Sequence, residues 1–153
     1  KKPLKPKIMK ILTTFILMLF MAKGCTSSEI KKESENISFE YEANTRGSYK
    51  KVLAKQDTVY TIKTRDGKAI EKSLSKSDWN ALLNLLSKVD ATKIADLKAP
   101  SEKRFYDGAM IGQLKLIYKD KTYESSNFDH GNPPAEIKDL VEKIIEVSDL
   151  EKK

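Results

Sequence analysis

A run of twelve residues without a charge, 11–22, lies between Lys10 and Lys23 and divides the chain into parts that obey different rules. At about 1.5 Å per helical residue it spans roughly 18 Å, well short of the ~30 Å hydrocarbon core of a bilayer, so it does not predict a permanent transmembrane helix. A basic start, a short apolar run and small Gly24 before Cys25 follow the order of a secretory signal, which predicts that the rest of the chain is an exported domain. Residues 1–8, with four lysines and two prolines, read as an upstream extension of the basic start and carry no fold signal.

Ala22, Gly24 and Cys25, closing this run, resemble the lipobox at the end of a type II signal peptide in bacterial lipoproteins, and the chain resembles small lipoproteins of the Bacteroidetes type. The resemblance implies that Cys25 becomes the acylated first residue of the mature protein, carrying fatty chains such as palmitate. It also implies a place in the cell envelope, anchored to the membrane on its periplasmic side or at the surface. At roughly 0.8 kcal/mol per buried methylene a single chain binds reversibly, whereas the two or three chains of a lipoprotein hold permanently.

Charge is read differently once the leader is set aside. The whole chain carries a formal +7, which alone would suggest a polyanion partner. Six lysines and no acid fall in residues 1–24, leaving 23 basic against 22 acidic side chains, so the expected domain is nearly neutral and nucleic-acid binding loses its support. Cys25 is the single cysteine, so no disulfide within the chain can staple the domain and packing alone must hold it.

The expected organisation is a signal over 1–24, a lipidated cysteine and flexible tether over 25–36, and one domain over 37–153. The segment 26–36 is almost wholly polar; as a tether it would reach roughly 18 Å as a coil and about 37 Å extended. Ile37, Phe39 and Tyr41 alternate with polar residues and predict a half-buried strand over 37–42. Further strands are expected over 49–54, 57–64 and 69–74, the last two joined by a tight hairpin in which Asp66-Gly67 supplies positive φ. Ser75, with Asp78 three residues on, predicts a capped helix carrying Trp79, Leu82, Leu83, Leu86 and Val89 on one side, with Trp79 as a core anchor. After a long connection over 90–104, with a helical turn around 93–97, strands over 109–118 and 122–128 precede a second helix over 134–149, started by Asn132 and the prolines. The order β-β-β-β-α-β-β-α gives an α+β domain, an antiparallel sheet with both helices on one face. The same order admits a duplicated ββα unit, although the two halves share no residue identity to speak of.

Chemistry-bearing residues are few. His130, the only histidine, stands beside Asp129 in a loop, with Ser125 and Ser126 as the nearest hydroxyls, none on a recognisable nucleophile turn. A structural role for His130 is the plainer expectation; an envelope hydrolase using His130 with Asp129 or Asp107 is the alternative. No metal-ligand spacing and no phosphate-cradling glycine loop occurs, so no metal and no cofactor is expected. Aromatic residues on the uncovered sheet face would offer a ligand groove, and Tyr49, Phe105 and Tyr106, in irregular and charged surroundings, are candidates for an exposed contact patch. The resulting expectation is a lipid-anchored, non-catalytic module that binds a protein or small molecule through its sheet face or loops. An inhibitor or immunity-type protein acting on a secreted enzyme is a further alternative.

Overall fold

The computed structural model describes residues 27–152. The segment over 1–24 expected to be a signal, and Cys25, lie outside the described residues. Seven strands form one antiparallel sheet: β1 (Ile37–Asn44), β2 (Tyr49–Ala54), β3 (Thr58–Ile62), β4 (Ile70–Ser73), β5 (Ile111–Tyr118), β6 (Lys121–Glu124) and the short β7 (Phe128–Asp129). Their order is β4-β3-β2-β1-β5-β6, with β7 also pairing β5. The architecture is α+β, as the pattern of elements predicts.

Strict alternation sets the two faces. Ile37, Phe39, Tyr41 and Ala43 of β1, with Val52, Ala54, Val59, Leu114 and Leu116, are buried under the helices. The helices are α1 (Ser27–Lys32), α2 (Lys76–Leu86) and α3 (Lys138–Ser148). Trp79, Leu82, Leu83 and Leu86 of α2 and Leu140, Val141, Ile144 and Val147 of α3 complete the core, and the Trp79 ring meets Phe39 edge-on at 5.6 Å. Lys143 bridges to Asp78 at 3.0 Å and ties α3 to α2. The opposite face stays open and carries charge: Glu40 lies 3.0 Å from Lys51 and 3.9 Å from Lys115.

The Ser75 cap forms as expected: its hydroxyl accepts from the Asp78 amide at 3.0 Å and donates to the Asp78 carboxylate at 2.9 Å. Four expectations are corrected. Residues 27–36 are not a free tether: α1 and a 3-10 helix over Ser34–Asn36 fold onto the domain, with Ile30 only 3 % exposed. Buried Ile30, with Glu33 bonded to the Tyr118 hydroxyl at 3.1 Å, holds a segment whose composition is otherwise polar. The β3–β4 connection runs from residue 63 to 69, and Gly67 is not in the positive-φ region; its amide simply donates to Thr64 O at 3.0 Å. The strand expected over 122–128 is broken, because the Ser125 hydroxyl accepts from the Leu114 amide at 3.0 Å in place of a backbone carbonyl. The last helix begins at Lys138 rather than 134, since Pro134–Ile137 close a turn first, with the Ile137 amide 3.1 Å from Pro134 O.

Candidate functional site

Tyr49, Asn44, Ile111 and Asp129 are consecutive partners across β2, β1, β5 and β7, so they form one row at the Asn44 end of the sheet. This row brings together residues far apart in the chain. Loops 45–48, 63–69 and 107–110 open at the same end, and His130 follows Asp129 there, with its amide bonded to Met110 O at 2.9 Å. At ~4.8 Å per strand, Tyr49 and Asp129 stand roughly 14 Å apart.

Asp129 is the hub of this end. Only 1 % exposed, it accepts hydrogen bonds from Ser101 Oγ (2.6 Å), the Lys103 amide (2.8 Å), the Arg104 amide (3.0 Å) and the Arg104 guanidinium (3.1 Å). Burial alone pushes this carboxyl up, but the bonds from Ser101, the two amides and Arg104 outweigh it and hold the pKa at about 2. The carboxylate therefore caps, from another strand, the 3-10 helix Lys103–Tyr106. Asn132 supports the same arrangement by donating to Ser101 Oγ at 2.8 Å.

What this clamp displays is aromatic. Phe105 and Tyr106 are 72 % and 70 % exposed, and the Arg104 guanidinium stacks over the Phe105 ring at 4.3 Å. Asp107 ends the turn in the left-handed region at φ 59°, itself exposed. Tyr49, by contrast, is half-buried on the open sheet face, where its hydroxyl meets Glu42 at 3.4 Å and Arg65 lies 5.6 Å above its ring. The expected three-residue patch thus resolves into an exposed pair and a separate tyrosine. Phe39, Tyr41, Tyr118 and Phe128 are buried on the helix side, so they do not line a groove on the open face.

His130 belongs to a second arrangement on the helix side. Its Nδ1 lies 2.8 Å from the Tyr41 hydroxyl and its Nε2 3.0 Å from Glu151, whose carboxylate is also held by Lys50 at 2.9 Å. An ionised carboxylate only accepts, so Nε2 carries the hydrogen facing Glu151. Burial, with the Glu151 charge adding to it, pushes the Tyr41 phenol far up, so its hydroxyl stays protonated. Burial also pushes Glu151 up, but Lys50 and then His130 prevail and keep it below its ordinary value. Both ring nitrogens of His130 are engaged, and Asp129 is committed to the 101–104 segment. The nearest hydroxyls are bound into the backbone, Ser125 to Ser126 O at 2.8 Å and Ser126 to Leu97 O.

No family model matches the chain, and no curated protein or solved structure matches it. The functional reading therefore comes from the residues themselves. Among the described residues no group of three or more His, Cys, Asp or Glu is placed to hold a metal ion, and no helix is long and apolar enough to cross a membrane. An open depression of about 480 Å³ lies between β4 and α3, and an apolar one of about 290 Å³ lies on the open sheet face beside Leu53, Tyr60 and Ile62; neither has His130 in its wall. The Asp129 clamp and the Tyr41–His130–Glu151 chain escape a sequence reading because they join residues 21 to 89 positions apart. Only the Asp129–His130 pair in a loop pointed toward either.

Proposed function

We propose that this protein is a cell-envelope protein anchored through acylated Cys25, and that its domain is a non-catalytic binding module whose contact element is the Phe105–Tyr106 turn. The observation that carries the binding half is the pairing of two aromatic rings, each more than two-thirds exposed, with a buried carboxylate that fixes the turn presenting them. Exposed aromatics on a preorganised turn are the residue types that dominate protein contacts, and holding them in place beforehand lowers the entropic cost of docking. The engagement of both His130 nitrogens and of Ser125 and Ser126 in structural bonds favours this reading over a hydrolase.

The anchoring half is supported by the charge-free run and the Cys25 that follows it. Fractionating cells that express the full chain tests it: the native protein is expected in the membrane fraction and Cys25→Ala outside it. Equal membrane retention of both would overturn the anchor.

A further inference from the structure

We infer that the acylated protein is seated directly on the bilayer by the Ile37 end of its sheet, with the Phe105–Tyr106 turn facing away from the lipid; this rests on the lipid-attachment reading above. The decisive observation is how early the chain becomes part of the domain. Ile30 is buried in the core, and Glu33 accepts from the Tyr118 hydroxyl at 3.1 Å and from Asn36 at 3.0 Å while pairing with Lys119 at 3.6 Å. The chain is therefore fixed from α1 onward, on the same end of the sheet as Ile37 and its partner Tyr118. Only Thr26 separates Cys25 from Ser27, and two Cα steps span at most roughly 7 Å. A lipid at Cys25 then has no slack with which to hold the domain off the headgroups.

The opposite end follows from β1. Its eight residues lead from Ile37 to Asn44, a distance of roughly 24 Å at ~3.4 Å per step, and the row containing Asp129 lies at that far end. The surface next to the lipid carries both signs, exposed Lys31, Lys32 and Lys119 beside exposed Glu35 and Asp57. Covalent proximity rather than attraction to anionic lipid sets this contact, so a neutral bilayer suffices.

Trp79, the single tryptophan, lies in α2, against which α1 packs, and so reports on this end. The test takes protein purified from membranes of cells expressing the full chain, with the Cys25 acyl group verified by mass, in phosphatidylcholine vesicles containing dansyl-labelled headgroups. Energy transfer from Trp79 is compared with that of a variant carrying twenty Gly/Ser residues between Thr26 and Ser27. That spacer reaches roughly 25 Å, so transfer is expected to fall at least about twofold. Hydrogen exchange is expected to slow on vesicles at 27–36 and 119–121 and to stay unchanged at 103–110. Equal transfer with and without the spacer would overturn the seating. Should the mass show a bare thiol, the lipid reading fails by itself; coupling Cys25 to a maleimide phospholipid then supplies the anchor, and equal transfer in that preparation overturns the seating separately.

Discussion

The Tyr41 hydroxyl lies 2.8 Å from His130 Nδ1, joining β1 to the segment after β7 across 89 positions of the chain. The two partners differ in what their loss leaves behind. Tyr41 is fully buried, so His130→Ala strands its hydroxyl and is expected to cost about 1–3 kcal/mol beyond the lost packing. Tyr41→Phe leaves a half-buried imidazole that can turn to water, and about 1 kcal/mol is expected. Urea denaturation of both variants checks the order; a larger loss for Tyr41→Phe would reject this account of the pair.

The clamp on the aromatic turn predicts a sharper effect. Asp129→Ala leaves two backbone amides without their acceptor and the Arg104 guanidinium without its carboxylate, bonded only to Ser101 O, and about 3–5 kcal/mol is expected, with faster hydrogen exchange at Lys103 and Arg104. The sign with pH follows from the folded pKa of about 2, below the ordinary carboxylate value. The contribution is present in full above the unfolded value and is lost as pH falls from about 4 toward about 2, because over that window the unfolded chain takes up the proton that the folded carboxylate still refuses. The gap between native protein and Asp129→Ala should therefore narrow over that window in acid titrations of stability, and a gap that stays constant would contradict the assignment.

Gly112 is required by close approach rather than by its backbone angle. A Cβ there would stand 2.8 Å from the Tyr41 hydroxyl and 2.9 Å from Phe128 Cε2, both in the core. Gly112→Ala is expected to destabilise by about 1–3 kcal/mol and to disturb the Tyr41–His130 contact. Thermal unfolding together with the Tyr41 and His130 resonances tests this, and an unchanged melting temperature would show that the core can yield at this point.

Ile30 tests whether α1 belongs to the domain. With its side chain buried in the core, Ile30→Ala is expected to cost about 2–5 kcal/mol, whereas the same change in a free tether would cost nothing. Chemical denaturation of the full chain distinguishes the two.

What the sequence made legible was the part written in short range. The alternation of Ile37, Phe39 and Tyr41 specified a two-faced strand, and Ser75 with Asp78 marked the start of α2, because those signals depend on neighbours within a few residues. The misreadings share a cause as well. Gly67 looked like a tight-turn residue until a longer loop removed the need for positive φ, and α1 was hidden because tertiary burial of Ile30 outweighs the polarity around it. The exposure of Phe105 and Tyr106 was legible from their charged surroundings, but the reason they are held still was not. Asp129 holds the two residues before them, Lys103 and Arg104, from a strand some two dozen residues later, and Glu151 reaches His130 from beyond the end of α3.

The Phe105–Tyr106 turn is the proposed contact element. Both side chains are exposed, so replacing them together with Ala should change stability by no more than roughly 0.5 kcal/mol each. The most direct measurement is quantitative capture from an envelope extract with the full chain and with Phe105→Ala/Tyr106→Ala, both shown to be folded. The account predicts a partner retained by the native protein and depleted at least about tenfold with the variant, as expected for the loss of a contact hot spot. The same proteins retained in equal amounts by both would contradict it.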